Sequence, residues 1–210
     1  MVNISGHDFK RFFSAYKYDG EIHLSENQTS PTLKSSRTLP LSYQSFLAQL
    51  RGHSFNNGML RILNSTTTPS IEGWNSHSGW HSTWPKLAQR FYVFGYDWMG
   101  NQFALDFDRI DGVTGEPLIT VVISGTGELL KAPVIFQKFM NTDLVDQSDF
   151  IIGSSYYKEW LESGGAIPQF NQCIGYKHPL SLGGIDDIDN LEISDLDVYI
   201  HLMGQMSAMG

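Results

Sequence analysis

The stretch that most restricts the fold is RFYVFGYDWMGNQFALDF, residues 90–107. Apolar and aromatic residues fill both arms, and a polar break containing a glycine separates them. The pattern predicts two strands, Phe91–Tyr96 and Gln102–Phe107, joined by a tight turn over Asp97–Asn101 in which Gly100 and Asn101 supply positive φ. Upstream, NNGMLRIL reads as an Asn-Gly turn leading into a strand, and downstream GEPLITVVIS supplies another. Sequential strands of this kind imply an antiparallel meander.

Helical spacing surrounds the strands. LSYQSFLAQLRG sets Leu41, Phe46, Leu47 and Leu50 at near-helical intervals, with Ser42 as N-cap and Gly52 as stop. APVIFQKFM carries Pro133 at a helix-start position, and SSYYKEWLESGG pairs serine capping with a glycine stop. SDLDVYIHLMGQM places Leu196, Tyr199, Ile200 and Met203 on one face, with Ser194 as N-cap and Asp195 and Asp197 favoured at the positive helix start. Ser25 to Pro40 is polar, has two prolines and reads as a loop. The expected fold is α+β, an antiparallel sheet with flanking helices.

Charge and size narrow the function classes. A chain of 210 residues, 41% hydrophobic and 13% aromatic, can bury one sizeable core. Its net charge of -8 opposes non-specific binding to nucleic acid and favours a basic protein partner. A single cysteine, Cys173, leaves no intrachain disulfide and fits a reducing compartment. The N-terminus has no signal-peptide pattern, and no apolar run approaches the ~20 residues that span a bilayer. The expectation is a cytoplasmic protein with no membrane partner.

Chemical motifs mostly fail on inspection. VVISGTGELL imitates a dinucleotide fingerprint, but Leu130 occupies the third glycine position. His77 and His81 sit four apart like paired zinc ligands, yet Gly79 lies between them and Ser78 replaces the catalytic glutamate; Trp74, Trp80 and Trp84 around them read as residues that bury against the sheet. Cys173 and His178 are close in sequence, but a buried structural cysteine is the simpler reading. Asp97 and Asp106, at two strand ends, could pair as acids only if the fold brings them together. No catalytic residue, cofactor or metal is expected. The rival reading is a small-molecule-binding protein or hydrolase using Asp97, Asp106, His77 and His81.

One stretch keeps its interest. Between Asp186 and Asp197 lie six carboxylates, and no lysine or arginine follows Lys177. The run fails as an EF-hand, since from Asp187 the alternate positions hold Asp189 and then Leu191, with Glu192 where glycine belongs. It is either a solvated loop leading into the last helix or a docking surface for a basic partner.

The residues from Gln172 onward resemble the C-terminal domain of type VI secretion immunity proteins. Cys173, Gly175 and Tyr176 match one element of that family, with Gln172 standing where a glutamate is usual. Pro179, Leu180, Leu182, Gly183 and Gly184 match a second, and Asn190, Leu191, Glu192, Val198, Tyr199, Leu202 and Gln205 a third. Upstream, LPLSYQSFLAQLRGHSFNNGMLRIL and FYVFGYDWMGNQFALD resemble a GAD-like domain, and the aromatic hairpin resembles the core of the SUKH immunity superfamily. The resemblance implies a GAD-like part over residues 1–110 and an immunity-protein part over 111–210, in one compact unit, with residues 1–40 unassigned. It implies no enzyme, but an inhibitor that binds a cognate secreted toxin, a DNase in the best-known members, and blocks its active site. Candidate contacts are Asp186, Asp187, Asp189, Glu192 and Asp195, with Trp80 and Trp98 as exposed aromatic anchors.

Overall fold

The computed structural model describes residues 7–20, 38–76, 78–88 and 90–209. The hairpin read from the sequence is its centre. β3 (Phe91–Asp97) and β4 (Gln102–Ile110) pair antiparallel, and all seven residues of β3 are buried. Asp97 closes the turn: its Oδ1 accepts from the backbone N–H of Met99 at 2.9 Å and of Asn101 at 3.0 Å. Gly100 takes φ 81° there, whereas Asn101 does not enter the positive region. β1 (Ser54–Phe55) and β2 (Leu60–Ile62) precede the hairpin; β5 (Pro117–Val122) and β6 (Leu129–Ile135) follow it. The six strands form one antiparallel meander in chain order, and the sheet runs without a break past residue 110.

Helices cover both faces. On one, Phe94 and Phe103 meet an aromatic layer from α1 (Lys10–Ala15), α2 (Leu41–Gln49) and α6 (Phe136–Lys138); Phe136 lies 5.0 Å from Phe94 and 5.4 Å from Phe46. On the other, Trp74 of α3 (Ile71–Trp74) donates to Gln102 at 2.7 Å, and Trp80 of α4 (Trp80–Thr83) stacks on Phe91. α5 (Pro85–Ala88) then leads into β3. The expected α+β sheet with flanking helices is the observed architecture.

From α6 the chain continues through a π-turn (Phe139–Asp143), α7 (Leu144–Asp146), α8 (Ser148–Ile152) and α9 (Ser154–Glu162). β7 (Gln172–Tyr176) and β8 (Leu191–Asp195) form a separate antiparallel ribbon, and α10 (Leu196–Met209) closes the fold. Alternation splits the ribbon's faces. Ile174 and Leu191 join Trp98 and Tyr157 in a small core of their own, while Cys173 and Gly175 turn toward Leu196 and Tyr199 of α10.

Several local expectations shift. Pro133 does not start a helix: Leu129–Ile135 is the outermost strand, where a missing N–H costs no ladder bond, and the helix begins at Phe136. Ser42 is not an N-cap; α2 already starts at Leu41 after Pro40, and the Ser42 hydroxyl donates to Glu116. Neither Ser154 nor Ser155 caps α9, whose N-cap is Gly153. The β7–β8 ribbon was not expected at all. Most of the predicted Ser25–Pro40 loop lies outside the described residues, as does His77.

Candidate partner-binding site

The acidic run lies on the connection from β7 to β8 and on into α10. Asn190 staples that connection. Its side chain donates to the carbonyls of His178 and Ile185, both at 2.8 Å, and accepts from the His178 N–H at 2.9 Å. Gly184 passes so close to the His178 carbonyl that a Cβ would overlap it, and Gly183 adopts φ 90°. The loop is therefore built by backbone close approach, and it borders an open depression of about 450 Å³ lined by Ile185, Asp187, Asp189 and His178.

All five candidate carboxylates are exposed, but they do different work. Asp186 accepts from the Tyr176 hydroxyl at 2.7 Å; burial first, and then Asp186, push that hydroxyl's pKa up, so it remains a donor. Asp187 caps the short 3-10 turn Ile188–Asn190 by accepting from the Asp189 N–H. Asp195 accepts from the N–H groups of Asp197 and Val198, both at 3.1 Å, and so caps α10 in place of the expected Ser194. Asp189 and Glu192 have no side-chain hydrogen bond or ion pair among the described residues. These two carboxylates are free to meet a partner.

The tryptophans are not part of that surface. Trp80 is 1% exposed, stacked on Phe91 and donating to Asn75. Trp98 is fully buried between the sheet and the ribbon, where its indole N–H donates to the Ile152 carbonyl at 2.6 Å. As exposed anchors both are corrected: Trp80 buries against the sheet, as the reading of the tryptophan cluster has it, and Trp98 fills space between sheet and ribbon, two layers that the sequence does not show meeting. Beside the carboxylates, other apolar groups face solvent. Leu182 is 61% and Ile185 73% exposed, on the stapled loop itself. Their only signal in the sequence was apolar character beside Gly183-Gly184 and amid aspartates, with no periodicity to place them in a core.

The two carboxylates of the rival reading do not converge. Asp106 opposes Phe91 at one end of the β3–β4 hairpin and Asp97 closes the turn at the other, roughly 15–20 Å away along the strands. That exceeds the separation of a catalytic carboxylate pair. Asp106 is held by Nε and Nη2 of Arg90, both at 2.7 Å, and by Thr120; although burial acts against it, these partners keep its pKa below the usual carboxylate value. Asp97 is fully buried, and burial raises its pKa to about 7 against three hydrogen bonds and the nearby Arg61. Burial also raises the Cys173 thiol, so the thiolate is disfavoured. His77 is outside the described residues, as is the side chain of His81, and no group of three metal-ligating side chains gathers among those described.

Arg61 carries no motif that would mark it in the sequence. It is buried and makes no ion pair among the described residues; its guanidinium donates to the carbonyls of Gly58 and Pro168 and lies over the Tyr96 ring. It ties the β1–β2 turn to the segment entering β7. Tyr96, whose hydroxyl bonds the Phe170 carbonyl, and Tyr157, bonded to the Asn57 carbonyl, reinforce the same seam.

Comparison with known proteins bears on the region just described. Residues 136–207 match the family described as T6SS immunity protein Tdi1, C-terminal, which supports a type VI secretion immunity protein and a non-enzymatic role. No curated protein matches the chain. The crystal structure of Atu4351 from Agrobacterium tumefaciens is similar, with a TM-score of 0.61 over 94% of this chain and 89% of that one. At 14% identity, that likeness concerns the fold. No helix among the described residues is long and apolar enough to cross a membrane.

Proposed function

We propose that the chain neutralises a cognate secreted antibacterial toxin by stoichiometric binding in the cytoplasm, blocking the toxin's active site without turnover of its own. The observation that carries this is the family match over residues 136–207, the segment that bears the acidic loop. On this reading the toxin is a nuclease, a DNase by analogy with the resembling family. A DNA-cleaving enzyme needs positive surface to hold phosphate, and a chain of net charge -8 with unpaired Asp189 and Glu192 offers that surface an opposite charge. The GAD-like and SUKH-like resemblances of the upstream sequence belong to the same proposal.

The test is co-expression. The chain should protect a bacterial host from a type VI secretion nuclease toxin of its organism of origin and should co-purify with a catalytically inactivated form of it at near-equal stoichiometry. Lack of protection and of a complex, with both proteins expressed and folded, would count decisively against the proposal.

A further inference from the structure

The geometry points to the β7–β8 loop as the docking element, with Leu182 and Ile185 entering an apolar socket framed by basic residues on a cationic protein. This rests on the toxin reading and names the surface that serves it.

Scattered exposed apolar residues are ordinary and need no explanation. These are not scattered. Leu182 and Ile185 stand three residues apart at the tip of one loop, and Leu180 beside them is 37% exposed. The three bonds of the Asn190 side chain and the tight passage at Gly184 hold the loop's backbone in place. Side chains displayed on a preformed loop lose little conformational freedom on binding, which is what an anchor requires. Beside Ile185 stand Asp187 and Asp189, which line the adjoining depression with it and with His178. An apolar centre within a charged rim is the usual anatomy of a protein interface.

Charge selects the occupant. A second copy of this chain would set two acidic rims face to face, and each copy carries net charge -8. Anionic lipid and nucleic acid would be repelled in the same way. A cationic protein is the occupant for which rim and centre act together: the carboxylates speed encounter and the two aliphatic side chains slow release.

The experiment measures binding of the full chain to the inactivated nuclease toxin of the co-expression test, by calorimetry and stopped flow at low and high salt. L182A/I185A should weaken binding about 30-fold or more at both salt concentrations, as loss of hot-spot anchors does. Its melting temperature should not change, because both side chains are exposed. F150A removes an aromatic ring that is 73% exposed on α8 and should leave affinity unchanged. If wild type binds and the double variant stays within about threefold of it, the loop assignment is overturned while the toxin reading stands. If wild type does not bind, the toxin reading fails and takes the assignment with it. Self-association or anionic-vesicle binding that disappears in L182A/I185A would also overturn it, by identifying a different occupant.

Discussion

Asp97 shows how one buried carboxyl couples the hairpin to pH. Burial raises its folded-state pKa to about 7, above the ordinary value of 3.8. Between those two values the folded chain holds a proton that the unfolded chain has released. Stability from this group is therefore greatest below about pH 4, falls as pH rises toward 7, and levels off above it. From pH 5 to pH 7.5 this group should lose on the order of 2 kcal/mol of stability, read in denaturant titrations as the part of the pH dependence that D97N abolishes; His53, whose pKa burial lowers, acts in the opposite sense in both proteins. The acidic run makes a second contrast between single residues. D195A removes the cap of α10 and should cost ~1 kcal/mol, whereas D189K/E192K touches no internal bond and should stay within about 0.5 kcal/mol of wild type. Toxin binding should show the reverse order, with D189K/E192K mainly slowing association and doing so most at low salt. The carboxylates themselves were legible in the sequence. Their division of labour was not, because it depends on which backbone N–H groups a turn leaves unpaired.

At the scale of elements, legibility followed periodicity and turn chemistry. The β3–β4 hairpin could be read because two apolar arms flank a break with a required glycine, and the buried face of α10 because Leu196, Tyr199, Ile200 and Met203 recur at helical spacing. The ribbon β7–β8 was missed for a physical reason. Each strand has five residues, and the long connection from Lys177 to Asn190 separates them, so no hairpin signal sits between them. What fixes the ribbon is tertiary: Ile174 donates its N–H to the Trp98 carbonyl at 2.7 Å, and Gly175 lies under the ring of Tyr199. A Cβ at position 175 would overlap that ring, so G175A should destabilise the chain by about 1–3 kcal/mol. Combining it with Y199L should recover part of the loss relative to Y199L alone. A double-mutant cycle in denaturant measures this coupling; additive effects would mean that the ring is not what excludes a side chain there.

The whole molecule holds together through the segment that carries the family match. Phe136 and Phe139 belong to that segment, yet they complete the aromatic layer on the main sheet, where Phe139 lies 5.8 Å from Phe103. Trp98, from the sheet's central hairpin, in turn fills the core of the ribbon, and Arg61 and Tyr96 reach across to the carbonyls of Pro168 and Phe170. Each half thus supplies core residues to the other. A fragment of residues 136–207 would expose Phe136 and Phe139 and leave Ile174 and Leu191 without the indole they pack on. It should fail to fold alone, giving poor amide dispersion in NMR and no cooperative thermal transition, while the full chain melts in one step. W98A in the full chain should have a graded version of the same effect, costing about 3–5 kcal/mol, with hydrogen exchange faster in β7 and β8 than in β3. A fragment that melts cooperatively and still binds the toxin would mean that the sheet is dispensable for the acidic loop, and that the seam through Trp98 joins two bodies able to stand apart.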